Sequence, residues 1–528
     1  MPAALVAVGD SLTQGFQSGS ISRTQWSYPA MMARAMGLRV TADPAGPTDA
    51  FCVPDFSGAG GLPVNLERLF RKLGERYGTK INLGEYNFAL SSIGRFLGEV
   101  EDYWERGPGS RESTSGPLHH NLAVWGFEFG DCDTLTEALC RRLTPPPKDE
   151  LWVQNQIPEF AMYRTARRVL NPTFDPQLEE LTQIDAVEKL AREHGIESLL
   201  LFLGCNNVLG ACTSLKMSWS QSADFRKYAH ERTCNIWEPS HFEELVGRVY
   251  RRIDALHKTK KIGHVFVGTI PHVTIAPVAR GISPYARSEE GRRRNVPERS
   301  HDGFYEYYTH FRVWDSEFCK DPHKYPHLTR ENARQIDRTI DQYNACITDH
   351  AAKNGWHVID YCKVLDEMAF RRQSGHPTFK FPAGLVAALE KNPATRFRVF
   401  PPAHPGGEKR ILLDTRYFNV KSKVKADEKN FEAMQRKYLG GLFSLDAIHP
   451  TTVGYGIMAH KALEVMHAAG VPDADPDALD WDAIIAADSL LMDPPKPLEN
   501  LQEIMGFMSS RHLLARLIRS LSGYGSQE

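Results

Sequence analysis

Five short apolar runs, separated by long amphipathic stretches, limit what this chain can fold into. They are Ala4–Val8, Asn121–Val124, Ser198–Leu203, His264–Gly268 and Trp356–Asp360, β-branched or leucine-rich and bounded by Gly, Pro and Asn. Runs of this length without alternation read as strands buried on both faces. Between them lie stretches with helical spacing, Tyr28–Met36, Asp185–His194, His241–His257 and Arg330–Asn354. Strand and helix in alternation predict an α/β fold, a parallel sheet with right-handed crossovers and helices on both faces.

The 528 residues are more than one core ordinarily holds, so one enlarged domain or two are both compatible with the length. Three segments stand outside the alternation: Leu38–Leu118, Ile282–His327 and Phe370–Leu439. The first holds the loop Phe56–Pro63 followed by helical spacing over Val64–Tyr77. The second holds Arg292–Arg294, which reads as a solvated face or an anion site, and the aromatic cluster Phe304–Phe311, which reads as an acyl pocket or as an anchor. The expected division is a domain over 1–470 and a helical extension over 471–528. Pro472, Pro476 and Pro494-Pro495 break the extension before an amphipathic pattern from Leu501 to Leu521 with Arg511, Arg516 and Arg519 interspersed. That helix could lie on a membrane surface, dock on the body, or pair two copies of the chain as a homodimer.

Lys and Arg number 63 against 65 Asp and Glu, a net charge of −2, and nothing in that balance asks for nucleic acid or an anionic membrane. The nine cysteines form no C-x-x-C pair, which argues against a zinc ribbon or a disulfide framework and for reduced thiols in a cytoplasmic protein. The N-terminal apolar run has no basic flank and leads directly into Gly9-Asp10-Ser11, so it is not expected to be a signal peptide. No apolar stretch reaches membrane-spanning length. His119-His120 falls on a predicted strand, where adjacent side chains point to opposite faces, and no H-E-x-x-H spacing occurs. The expectation is no metal and no cofactor.

The chemistry-bearing residues sit at predicted strand ends. Ser11 follows the first run, where an open α/β sheet presents a nucleophile. In Leu445-Asp446-Ala447-Ile448-His449-Pro450 a carboxylate precedes an imidazole by three residues, close enough for one turn to aim both the same way. Gly126 closes Asn121-Leu122-Ala123-Val124-Trp125, and Asn206 follows Gly204 after the third run. Each residue also has a plain structural reading: Ser11 and Asn206 as helix caps, Gly126 as a turn glycine, Asp446 as the organiser of the turn before the helical pattern of Thr451–Met466. His272, beside Pro271 after the fourth run, is a rival base without a carboxylate three residues before it. The chain order is Ser, Asp, His, and the context of Ser11 is not the G-x-S-x-G elbow of the α/β-hydrolases.

Taken together, these four segments resemble the blocks of the SGNH, or GDSL-type, hydrolases. Ser11 matches block I, Gly126 block II, Asn206 block III, and Asp446 with His449 block V, in order from Ala4 to about Met466. Asn87–Gly94 imitates block II but places its glycine too far from its asparagine. Asn207 stands where the family usually has aspartate. The resemblance implies a three-layer α/β/α sandwich with a flavodoxin-like parallel sheet, the insertions forming a cap. It further implies a Ser11–His449–Asp446 triad and an oxyanion hole made by the Ser11 and Gly126 N–H groups and the Asn206 amide. The implied activity is hydrolysis of a small-molecule or lipid-like carboxylic ester through an acyl-enzyme. The rivals are an acyltransferase or thioesterase on the same residues, and an idle scaffold of the same fold that binds a lipid or protein partner.

Overall fold

Four of the apolar runs build one parallel sheet. The structure, a computed structural model, describes residues 2–43, 49–78, 81, 85–113, 116, 118–146, 160–228, 231–282, 303–310, 313, 318–369, 378–420 and 427–495. The strands are β1 (Ala3–Gly9), β2 (Ile196–Phe202), β3 (Ile262–Gly268) and β4 (His357–Ile359), hydrogen-bonded in that order. Val6 lies opposite Leu199, Leu201 opposite Val267, and Ile359 opposite Gly268. From Leu5 to Val8 and from Leu199 to Phe202 every residue is buried, odd and even positions alike, which is why these runs do not alternate.

The expected strand Asn121–Val124 is present only as a single parallel bridge from Asn121 to Ala7. Its backbone does follow β1, through Ala7 N–H to His120 O (2.9 Å), Leu122 N–H to Ala7 O (2.8 Å) and Val124 N–H to Gly9 O (3.1 Å). The Ala123 N–H, between the Leu122 and Val124 donors, is taken by the Asn121 side-chain oxygen at 3.1 Å, a local side-chain bond.

The helices that position the site are α1 (Ser11–Gln14), α2 (Tyr28–Ala35), α3 (Gln183–Glu193), α4 (Asn206–Ser214), α5 (Pro239–Lys258), α6 (Arg330–Asn354), α7 (Tyr361–Met368) and α8 (Thr452–Ala468). Helix α6 has the bounds its pattern predicts, because Thr329 caps it in a reciprocal box with Asn332 and Gly355 ends it in the left-handed region. Helix α5 packs against both α3 and α6, with Phe242 stacked on Tyr343 at 3.9 Å, while α2 packs against α8.

The first insertion holds the expected helix, Leu66–Tyr77, and an unexpected one, Tyr86–Glu105. The block II imitation Asn87–Gly94 therefore lies within a helix and presents no strand end. In the second insertion Tyr308 is buried in the main core and Phe304 and Tyr305 pack on it, so the described part of the aromatic cluster anchors this segment to the body. Its strand, Tyr307–His310, pairs with Ala279–Ile282 and Leu328–Thr329. Arg292–Arg294 and the pattern 501–521 lie outside the described residues. Short helices Trp481–Ala487 and Ser489–Met492 pack back on the body, where the Asp488 carboxylate accepts the Val453 N–H of α8 at 2.9 Å. No helix among the described residues is long and apolar enough to cross a membrane.

Candidate active site

Asp446 and His449 meet as their spacing predicts. Asp446 Oδ1 accepts the backbone N–H groups of Ile448 (2.9 Å) and His449 (2.8 Å), closing a tight turn in which Ala447 takes a left-handed φ of 63°. The turn aims His449 Nδ1 at Asp446 Oδ2, 3.0 Å away. Burial alone would raise the Asp446 pKa, but the facing imidazole and the two backbone N–H groups hold it below the usual carboxylate range. A buried, ionised carboxylate on Nδ1 fixes the tautomer that leaves Nε2 able to accept a proton.

The loop after Ser11 closes on this turn from the other end of the chain. Gly19 N–H donates to Asp446 Oδ2 at 2.9 Å and Ser18 N–H to Ser444 Oγ at 2.9 Å. The Phe16 ring lies 4.5 Å from the His449 ring, and Tyr455 OH of α8 donates to Phe16 O at 2.5 Å. Gly19 has a φ of +83°, and a side chain there would meet Val64 O at 2.6 Å, so the close approach needs glycine. Ser11, 6% exposed, is thus five residues before a ring that packs on His449. No hydrogen bond joins Ser11 Oγ to His449 here; contacts between nucleophile and base are often long before substrate binds.

The expected oxyanion donors lie around the start of α1. Gln14 of α1 accepts the Trp125 N–H at 2.8 Å, Asn121 Nδ2 donates to Thr13 O at 3.0 Å, and Gln183 Nε2 reaches both Gly9 O (3.1 Å) and Leu122 O (2.7 Å). These bonds tie residues 121–125 to the segment Gly9–Gln14 that carries Ser11. Gly126 has a φ of +80° and lies buried; among the described residues neither its N–H nor that of Ser11 has a hydrogen-bond partner. Buried N–H groups without a partner are rare, so both are available as donors. Asn206 Nδ2 gives one hydrogen to Phe127 O at 3.0 Å, which orients the amide and leaves its second hydrogen. Asn207, in place of the expected aspartate, uses Oδ1 to accept the Phe129 N–H at 3.1 Å and leaves Nδ2 buried without a partner.

His272 is separate. Its ring lies between Asp366, 2.9 Å from Nδ1, and Asp341, 3.2 Å from Nε2. Burial opposes its charge, yet the hydrogen bonds to Asp366 and Cys362 outweigh it and lift the pKa to about 9. An imidazole already protonated at neutral pH is a poor base, which favours His449. His120 Nδ1 accepts the Cys52 N–H at 3.2 Å, a structural bond. Two surface hollows of about 710 and 390 Å³ lie on helix faces away from the triad. Some of their charges are paired, as Arg252 is with Asp133 and Lys72 with Glu99, and neither hollow is lined by Ser11, Asp446 or His449.

Sequence reasoning passes over Asp10, although its place beside the nucleophile is a signal. Oδ1 caps α1 through the Leu12 N–H at 3.1 Å, while Oδ2 is buried without a partner. Burial raises its pKa from 3.8 to about 7, against the opposing pull of the Leu12 bond and of His449. The folded protein therefore keeps a proton that the unfolded chain releases near its ordinary value, so the contribution of Asp10 to stability is full at low pH and falls as pH rises from about 4 toward 7. Asp10→Asn keeps the cap without the charge. It is expected to lose less stability than wild type between pH 4 and 7.5, as urea unfolding at the two pH values would show.

No family model matches the chain, and no curated protein does.

Proposed function

We propose that the protein is a carboxylic ester hydrolase of the SGNH, or GDSL, type, acting through Ser11, His449 and Asp446. The observation that carries this reading is the closure of the serine loop on the Asp446–His449 turn through the Gly19 N–H and the Phe16 ring. Parallel bonding of residues 120–124 along β1 supports a sheet order of 2-1-3-4-5, that of a flavodoxin-like α/β/α sandwich. In this reading the three insertions surround the carboxyl ends of the strands as a cap.

Ser11 Oγ attacks the acyl carbonyl as His449 Nε2 takes its proton, with Nδ1–H held by Asp446. Negative charge develops on the carbonyl oxygen, facing the N–H groups of Ser11 and Gly126 and the free hydrogen of Asn206. Collapse expels the alcohol, which receives the proton from His449. Water, deprotonated by the same nitrogen, then releases the acid. Phe16 and Trp125, whose rings lie 5.4 Å apart with Phe16 on His449, are buried and form the apolar packing beside the imidazole.

The test is hydrolysis of p-nitrophenyl esters from acetate to palmitate, with organophosphonate labelling of Ser11. The reading fails if no ester is turned over and Ser11 does not label. Gly126→Ala is expected to lower kcat about 100-fold with KM little changed, because one oxyanion donor is displaced. The same change places a side chain at a φ of +80°, costing roughly 1–2 kcal/mol of stability, which thermal unfolding would register.

A further inference from the structure

Three side chains that the ester chemistry leaves unused converge at the carboxyl ends of β3 and β4. His272 lies in the loop after β3, and Cys362 and Asp366 lie on α7, where a spacing of four residues puts both on one face. Asp366 Oδ1 is 2.9 Å and Cys362 Sγ 3.6 Å from His272 Nδ1, and one donor atom from each of the three lies within 4.8 Å of the other two. A tetrahedral cation with bonds of 2.0–2.3 Å separates its ligand atoms by about 3.3–3.8 Å. The distances from Nδ1 to its two neighbours are therefore within a few tenths of an ångström of what a bound cation requires.

The surroundings hold the group in place. Asn344 of α6 pins Ile270 through its N–H (2.7 Å) and its carbonyl (2.9 Å). Thr269 Oγ1 donates to Asp360 Oδ1 and accepts the Cys362 N–H, both at 2.9 Å, which locks the start of α7 to the loop. On the far side of the imidazole, Asp341 of α6 sits 3.2 Å from Nε2. A carboxylate there is the usual device for fixing the tautomer and orientation of a metal-bound histidine.

We infer that His272 Nδ1, Cys362 Sγ and the Asp366 carboxylate form a binding site for a divalent cation of the zinc class, with Asp341 orienting the imidazole and a fourth position left to water. Thiolate, imidazole and carboxylate together suit Zn²⁺, whereas Mg²⁺ and Ca²⁺ prefer oxygen ligands alone. On binding, the Cys362 thiol proton and the Nδ1 proton pass to solvent, and the sulfur and nitrogen lone pairs they occupied bind the cation. Nε2 keeps its hydrogen for Asp341. The site is distinct from the triad, although the loop that begins at His272 runs on to Val278, whose N–H bonds Ala447 O at 2.9 Å.

The experiment uses the full chain, stripped with a chelator and titrated calorimetrically with Zn²⁺, and in parallel with Co²⁺ as a spectroscopic probe. Wild type is expected to take up one Zn²⁺ per chain and to show thiolate-to-Co²⁺ charge-transfer absorption. Cys362→Ser should abolish that absorption, and Asp366→Asn should weaken Zn²⁺ binding about 10- to 100-fold. The Asp366 side chain is 31% exposed, so its variant keeps the fold and decides the question even if Cys362→Ser does not. Failure of wild type to bind Zn²⁺, or binding that Asp366→Asn leaves unchanged, would overturn the assignment, the second result placing the metal elsewhere.

Discussion

Ser11→Ala is expected to lower kcat for a p-nitrophenyl ester by at least about 10⁴-fold and to abolish organophosphonate labelling, with the unfolding midpoint unchanged. The two halves of this expectation have separate causes. Ser11 Oγ makes no hydrogen bond in the folded protein, so its removal strands no partner, and alanine is a better helix former than serine at the first position of α1. The catalytic half follows because, in the proposed mechanism, Ser11 Oγ is the atom that bonds the acyl carbon. Steady-state kinetics together with a urea unfolding curve would check both halves. A variant that retained wild-type activity would remove the serine from the mechanism.

Asp446→Asn is expected to reduce kcat by about 10⁴-fold and also to destabilise the protein. The carboxylate accepts four hydrogen bonds, from the backbone of Ile448, His449 and Gly19 and from His449 Nδ1. An amide can keep the two on Oδ1, but its NH₂ then faces the Gly19 N–H and the Nδ1–H. The imidazole is driven to the other tautomer, and a buried N–H is left without an acceptor, at a cost of about 1–3 kcal/mol. Because folding lowers the Asp446 pKa, the wild-type carboxylate contributes stability that is full above the unfolded value and lost as pH falls through the folded one. The gap in stability between wild type and variant should therefore be widest near neutral pH and narrow below about pH 4. Unfolding curves across that range, beside kcat at pH 7, would measure it.

Much of this architecture is legible in the sequence where one local force decides the outcome. Strands β1 and β2 are buried on both faces over most of their length, so their apolar runs are unbroken, and α6 carries its capping box and terminal glycine in plain view. Asp446 and His449 are legible together because a single turn joins them. Asn121–Val124 is only half legible: its apolarity marks a place beside β1, but nothing in its spacing tells a full strand from the single bridge that forms. The helix Tyr86–Glu105 is hidden by Ser91, Ser92 and Gly94, weak helix formers whose pattern imitates a strand-end motif. Gly19 and Phe16 cannot be assigned in advance, since their partners lie more than 400 positions away. The His272–Cys362–Asp366 group escapes for the same reason, as its members are drawn from two segments about 90 residues apart that only the parallel sheet brings side by side.

The long reach of the Gly19–Asp446 bond has a consequence in time. The parallel sheet is complete once Ile359 has been made, and a chain growing from its N-terminus could fold that sheet with Ser11 already at the end of β1. The turn that supplies the base, and the tyrosine that fastens Phe16, come almost a hundred residues later. In the proposed mechanism, a nascent chain that has reached Ile359 carries Ser11 at the end of its first strand while the base it would use is still to be made.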